Sequence, residues 1–343
     1  MEIWVNDAAP GEWGERSDEL PNPPTVSVII CAYTEDRWLQ LKKSVASVEA
    51  QTSPPIEIIV CIDHNEELLR KSEEYFRNGG RPAAAMPLIV LANKYNGHLG
   101  AARNTAAEFA SGEVLAFLDD DAAASADWLE RLIAAYDDER VGAVGGAPLP
   151  VFEVRRPRWF PHEFDWVFGC AYRGLPLTRA PLGHLIGANM SARRSALRQV
   201  DGFQSDNQDD MDMCHRIAHA QHRVLYEPHA TVHHFVPATR TTWRYFWRKC
   251  YFANQEKVTV FANMQEAASL NAELTFVKRT LTRGVLAEMR QVIRGDPCGF
   301  VRIGAMTAGI ALAGLGHVSG QLRLRRSRRV PAVMPRARRR AGT

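Results

Sequence analysis

Val26-Ser-Val-Ile-Ile-Cys-Ala32 is a continuous apolar run rich in β-branched residues, the pattern of a strand buried on both faces. Working outward from it, the same grammar repeats. Arg37 to Ala50 carries Trp38, Leu41, Val45 and Val48 at helical spacing, and Pro54 and Pro55 stop it. Ile56 to Ile62 (IEIIVCI) predicts a second buried strand ending at Asp63. Glu66 to Arg77 predicts a helix, Leu88 to Ala92 a third strand, Ala101 to Ala110 an alanine-rich helix, Val114 to Leu118 (VLAFL) a fourth strand and Trp128 to Tyr136 another helix. This alternation implies an α/β fold, a doubly wound and mostly parallel sheet with helices on both faces. Ligands of such sheets bind outside the carboxyl ends of the strands. Tyr33 to Asp36, Asp63 and Asp119 to Asp121 stand at those ends, so three strands direct acids or turn residues into one crevice.

Farther along the chain the pattern loosens. Val141 to about Pro161 reads as irregular, rich in glycine, proline and aromatics. Ile186 to Ser191 reads as a returning strand, and Val224 to Tyr226 and Thr231 to Phe235 as short strands. From Thr239 the pattern is helical and basic-aromatic, which sets a boundary near Val236. Residues 1–24 are a polar lead-in ending in PNPP, read as flexible. The start, MEIWVNDAAPGEWGERSDEL, lacks the apolar run of a signal peptide. Phe300 to Gly320 contains Arg302, His317 and five glycines, and reads as a core or interfacial helix, with a membrane span as the alternative.

The chain has 343 residues, 46% of them apolar, enough to bury a sizeable core. Its net charge of +3 hides an asymmetry. Arg323 to Thr343 holds nine arginines and no acid, which leaves 3 − 9 = −6 on the rest. A basic tail of this kind is attracted to phosphates, and an anionic membrane surface is the expected partner; plain solvated disorder is the alternative. No nucleic-acid recognition motif is present, and nucleic acid is not an expected partner. Cys31, Cys61, Cys170, Cys214, Cys250 and Cys298 are scattered without Cys-x-x-Cys spacing. That argues against a zinc site or a disulfide framework and fits a reducing cytoplasm.

The sharpest chemical feature is Phe117-Leu-Asp-Asp-Asp121, an apolar strand ending in three carboxylates. Adjacent acids repel one another, more so when buried. A divalent cation such as Mn2+ or Mg2+ relieves the repulsion and binds substrate phosphates at the same time. The alternative is an acidic helix N-terminus beginning near Ala122. A second acidic group, Asp209-Asp210-Met211-Asp212, opens a helix predicted over Met211 to His219. A carboxylate there can serve as general base or as a helix cap. Gly100-Ala-Ala-Arg-Asn104 offers small residues and Arg103 for phosphate, or an ordinary glycine turn. Val232-His-His234 follows a strand, and an imidazole there completes a metal sphere or is structural. The run Trp159 to Trp166 suits an acceptor-side wall or a core. Thr242 to Lys249 interleaves aromatics with cations, as in a membrane-interface helix or one packed on the preceding domain.

These residues, taken in order from Val26 to Pro237, resemble glycosyltransferase family 2. The opening VSVIICAYTEDR is similar to the family's first strand and donor loop, which implicates Ala32, Tyr33 and Glu35 in donor binding. Asp63 matches the acid that recognises the base, and GAARN matches a Gly-x-x-x-Arg-Asn stretch carrying Arg103. Asp119-Asp120-Asp121 matches the Asp-x-Asp motif. The resemblance puts Asp119 and Asp120 on the donor and Asp121 on the metal, with His234 as a further ligand. GANMSARR, which contains Asn189, and DDMDMCHR resemble the segment that carries the base; Asp210 falls on the base and Asp209 beside it. The Gln-x-x-Arg-Trp motif of processive synthases is absent, so single sugar addition is expected. WFPHEFDWVFGCAYRG and YEPHATVHHFVPATRTTW look like an actinobacterial and archaeal subgroup, some of whose members act on polyprenyl-phosphate-linked sugars.

The resemblance implies an A-type glycosyltransferase fold with a C-terminal helical extension. The catalytic domain would span 25–236, the extension 237–322 and a basic disordered tail 323–343. The implied activity is inverting, metal-dependent transfer from a nucleotide-sugar, a UDP-sugar by family preference, to a hydroxyl of a glycan, glycolipid or small molecule. The implied location is cytoplasmic, peripheral at the inner face of the plasma membrane. Trp159, Trp166, Asn189 and Asp209 would lie on the acceptor side. A nucleotidyltransferase of similar fold is one competing reading, although Tyr33-Thr-Glu-Asp36 replaces the glycine-rich basic loop it needs. A non-catalytic, membrane-docked scaffold is another, with no use for acids at three strand ends.

Overall fold

Every side chain of β1 (Val26–Ala32) is buried, because helices cover both of its faces. The structure, a computed structural model, describes residues 23–77, 86–204, 208–263 and 276–327. Val28, Ile30 and Ala32 share a core with Leu41, Val45 and Val48 of α1 (Trp38–Glu49), while Ile29 and Cys31 turn the other way. The next elements are β2 (Glu57–Ile62), α2 (Glu66–Arg77), β3 (Leu88–Ala92), α3 (Leu99–Phe109) and β4 (Val114–Asp119). Ala102 and Ala106 of α3 pack with Ile29 and Cys31, so the period-two alternation of β1 is read out as two helix layers.

β1 lies parallel to both β2 and β4, with Ala32 opposite Ile62 and Cys31 opposite Asp119. This register brings the chain just after β1, Asp63 after β2 and Asp119 at the end of β4 to one edge of the sheet. The remaining elements of the sheet region are β5 (Ala122–Ala124), α4 (Trp128–Ile133), β6 (Val141–Phe152), β7 (Ala180–Pro181), β8 (Asn189–Arg193), α5 (Arg194–Gln199), α6 (Asp209–His219) and β9 (Arg223–Val236). The order is β3-β2-β1-β4-β8-β6-β9-β5, with β7 also on β9. β3, β2, β1 and β4 run parallel, β8 enters antiparallel to β4 and β6, and β6 and β9 are parallel to each other. The expected α/β architecture is present, with strands added antiparallel at its far side.

Two local expectations, and one alternative, need correction. No helix begins near Ala122; Ala122–Ala124 is β5, and it pairs antiparallel with β9, Ala122 opposite His234. The stretch from Val141, read as irregular, is a twelve-residue strand as far as Phe152. Its glycines are there for close approach: a Cβ on Gly146 would stand 2.0 Å from the Ala230 carbonyl oxygen. The two short strands read over Val224 to Phe235 are one strand, β9, whose register against β6 shifts between Gly145 and Ala147.

Beyond β9 come α7 (Trp243–Asn263), α8 (Thr282–Ile293) and α9 (Cys298–Ser327). A third core of Phe160, Phe164, Phe168, Phe246, Phe276 and Met306 joins them to the loop between β6 and β7. Cys298–Arg326 is long and apolar enough to cross a bilayer, with mean hydropathy 1.6. One side of it lies against α7 so closely that a Cβ on Gly316 would stand 2.1 Å from the Tyr251 carbonyl oxygen. Its other side exposes Phe300, Val301, Leu315, Val318 and Leu322. The lead-in 1–22 and residues 328–343, most of the arginine tail, lie outside the described residues.

Candidate active site

A cavity of about 550 Å³ opens at the carboxyl edge of β1, β2 and β4. Ala32 and Tyr33 border it from the end of β1, Asp63 from the end of β2, and Asp119, Asp120 and Asp121 from the end of β4. Arg103 of α3, Trp166 of the β6–β7 loop, Asp209 and Asp210 of α6 and His234 of β9 complete the set. Residues far apart in sequence thus meet because parallel strands end together and β9 returns beside β5.

The acids are held by different partners. Arg103, 3% exposed, donates from Nη1 to Asp209 Oδ2 at 2.7 Å and from Nη2 to the Gly187 carbonyl at 2.8 Å and Asp119 Oδ1 at 3.3 Å. Arg37 donates to Asp120 Oδ1 at 2.7 Å and stands 3.3 Å from Asp121 Oδ2, with Arg240 at 4.0 Å from the same oxygen. Asp63 accepts from Asn93 Nδ2 at 2.7 Å and from the His98 amide at 3.1 Å. His98 adopts φ 118°, a strained conformation for a residue with a Cβ, at the start of α3.

Asp119, Asp121 and His234 each turn one ligand atom into a group spanning less than 4.8 Å. Oxygen and imidazole donors in this number suit Mn2+ or Mg2+. Two buried carboxylate oxygens, Asp120 Oδ2 and Asp121 Oδ1, take no hydrogen bond of normal geometry, although His234 Nε2 lies 3.1 Å from the latter. Such orphaned acceptors are costly unless a cation satisfies them, so the residues fit a divalent ion. The other ring nitrogen of His234, Nδ1, faces Cys170 Sγ at 3.5 Å, which orients the imidazole.

Burial and neighbouring charge set the protonation states. Burial pushes Asp120 up to about 7, against the pull of Arg37 and with the repulsion of Asp121. Burial also raises Asp119, with Arg103 opposing. Asp121 goes the other way: burial pushes it up, but the contact with His234 and the charges of Arg37 and Arg240 outweigh that and hold it below its ordinary value. Asp210 rises to about 6, through burial and the adjacent Asp209, although the Gly187 and Met211 amides donate to it at 2.9 and 2.8 Å. A carboxylate titrating there is able to accept a proton near neutrality.

Three expected residues are not in the cavity lining. Glu35 is exposed in the turn after β1, and Arg37, two residues on, meets the acids instead. Asn189 is fully buried: its Oδ1 accepts from Trp128 Nε1 at 2.7 Å and its Nδ2 donates to the Ala230 carbonyl at 2.8 Å, so it ties β8 to β9 and α4. Trp159 packs on Phe160, Trp243 and Phe246 in the third core. Conversely, Arg37, Arg240, Tyr245 and Lys249 line the cavity. The last two belong to the basic-aromatic run, which packs α7 on the sheet region. Nothing in the sequence sets the first two apart: Arg37 and Arg240 reach Asp120 and Asp121 only through the fold.

The sequence profile described as glycosyl transferase family 2 matches residues 27–201. A glucosyl-dolichyl phosphate glucuronosyltransferase of Haloferax volcanii is 31% identical over 239 residues, 65% of this chain and 74% of that protein. A pre-mycofactocin glycosyltransferase of Mycobacterium tuberculosis is 30% identical over 148 residues, 42% of this chain and 32% of that one. Among solved structures, the mannosyltransferase PcManGT of Pyrobaculum calidifontis, in complex with GDP-Man and Mn2+, superposes with a TM-score of 0.58 at 19% identity, covering 89% of this chain and 90% of that one. GalNAc-T7 with UDP, GalNAc and Mn2+ gives 0.51 at 16% identity, over 75% and 58%. At those identities the two structures speak to the fold alone.

Proposed function

The chain belongs to glycosyltransferase family 2, and from that premise we propose that it transfers a single sugar, with inversion, from a UDP-sugar to a hydroxyl of a lipid-phosphate-linked glycan. The observation that carries this reading is the meeting of Asp119, Asp121 and His234 with Asp210 on one cavity. Asp210 is the general base. Asp209 beside it is engaged by Arg103, which leaves Asp210 to take the proton of the acceptor hydroxyl. Ala32, Tyr33, Asp63, Arg103, Asp119 and Asp120 border the donor. Asp121 and His234, with Asp119 adjacent, would hold Mn2+ or Mg2+. When bound, the cation neutralises the charge that gathers on the departing diphosphate.

Arg37, Arg240 and Lys249 add positive charge on the same side of the cavity, where an oxyanion develops. Trp166, half-buried at the cavity wall, offers an aromatic surface to the acceptor. Holding hydroxyl and anomeric carbon in line is worth about 7–11 kcal/mol in favourable cases. The lipid-linked acceptor is favoured by the activity named for the Haloferax volcanii relative and by the apolar side chains exposed on α8 and α9. Both suit a peripheral position on the inner face of a plasma membrane, with residues 25–236 as catalytic domain and 237–322 as its helical extension.

A panel of nucleotide sugars, with and without Mn2+ or Mg2+, tests the reading through release of nucleoside diphosphate. One UDP-sugar is expected to turn over, and only with the cation. Asp121→Ala should abolish cation-dependent donor binding. A panel without cation-dependent turnover, or an Asp121→Ala protein that binds donor equally with and without chelator, removes the proposal.

A further inference from the structure

We propose that a second cavity, formed by the two ends of the β6–β7 loop with α8 and the start of α9, binds the phosphate headgroup of an anionic membrane lipid. Its volume is about 890 Å³. Six arginines line it, and four of them are matched by acids. Arg156 holds Asp165 at 2.7 Å, Arg158 holds Asp296 at 3.3 Å, Arg173 holds Glu163 at 3.0 Å and Arg302 holds Glu288 at 2.6 Å. The other two, Arg279 and Arg283, are exposed, stand four residues apart and have no acidic partner among the described residues. Six cations against four acids leave an excess of two positive charges on one concave surface. Guanidinium pairs of this kind suit phosphate, whose oxygens accept two parallel hydrogen bonds.

The surroundings select a lipid over a free phosphate. Leu177 lines the cavity with 87% of its surface exposed. Leu286 and Ile293 of α8 and Phe300 and Val301 of α9 are exposed as well, Ile293 at 82%. A soluble anion has no use for apolar side chains held out beside its site, whereas a lipid carries a charged head and acyl chains together. The same loop that walls this cavity reaches the first one through Trp166 to Gly169. A lipid held here therefore brings the bilayer to the acceptor side of the site.

The inference rests on the membrane-surface reading for the source of the phosphate, and two variants separate them. The probes are vesicles of phosphatidylcholine with and without phosphatidylglycerol, and inorganic pyrophosphate, used with the full chain. Wild type is expected to bind only the anionic vesicles. Arg279→Gln with Arg283→Gln should weaken that binding about tenfold or more, given about 1 kcal/mol per cation near an anionic surface. Arg290→Gln with Arg294→Gln removes the same charge from the exposed surface of the α8 region outside the cavity and should cost less. Cation-dependent donor hydrolysis, unaltered in both, reports that they fold. No wild-type binding overturns both readings, and equal loss in the two variants overturns the cavity alone. If pyrophosphate raises the melting temperature of wild type but not of the Arg279/Arg283 variant, while vesicle binding is unaffected by those substitutions, the ligand is a soluble phosphate and the lipid assignment falls.

Discussion

Asp210 takes two backbone amide hydrogen bonds and still titrates at about 6, because burial and Asp209 outweigh them. Two consequences follow for this one side chain. Asp210→Asn should lower turnover by about two to four orders of magnitude with donor binding retained, the range for loss of a general base; near-normal turnover would remove Asp210 from that role. Wild-type turnover should fall as pH drops through about 6, where the carboxylate takes up its proton. The stability effect has the opposite sense. A folded pKa above the ordinary 3.8 stabilises fully below that value, and the benefit is lost as pH rises through 6. Asn at 210 should therefore melt higher than wild type at pH 8, by on the order of 2–3 kcal/mol, and the gap should close toward pH 4. Calorimetry across pH checks it. The acids were legible as residues because each follows an apolar strand or opens a helix. Their partners were not. Arg37 and Arg240 are ordinary cations in the sequence and become site residues only through the fold, while Asn189, adjacent to site segments in sequence, is occupied entirely by Trp128 and Ala230.

Among the elements, α9 and β5 carry the sharpest lessons. Gly314 and Gly316 sit two residues apart in α9, yet nothing lies within 4 Å of a Cβ on Gly314, while one on Gly316 meets the Tyr251 carbonyl at 2.1 Å. Gly314→Ala should stabilise by about 0.5–1 kcal/mol, the gain from replacing a helical glycine. Gly316→Ala should destabilise by about 1–3 kcal/mol through overpacking against α7. Denaturant melts of the two variants compare them directly, and shifts of the same sign would refute this helix packing. The parallel strands β1, β2 and β4 were readable because burial on both faces removes polar residues and leaves an unmistakable run, and the edge strand β3 was readable from its apolar run although it is only half-buried. β5 was not: three alanines have no strand signal, and only pairing with β9 makes them one. β6 was hidden by glycines and prolines that look like loop residues until the closeness of Ala230 to Gly146 is seen.

At the level of the whole molecule, Mn2+ together with UDP should raise the melting temperature and a chelator should reverse it. Ligand at a hundred times its dissociation constant is worth about 2.7 kcal/mol. The gain should be larger at pH 8 than at pH 6. Asp120 titrates at about 7 in the folded chain, so its charge destabilises the metal-free protein above that pH, where a cation relieves it. Equal gains at the two pH values would contradict this origin. The closure of the sheet by β9 has one more outcome. The profile match stops at residue 201, whereas Asp210, His234 and Arg240 all come later in the chain. A fragment trimmed to that match would keep three carboxylates side by side with neither imidazole nor base. During synthesis, likewise, His234 can join Asp119 and Asp121 only after β9 has left the ribosome and paired with β5.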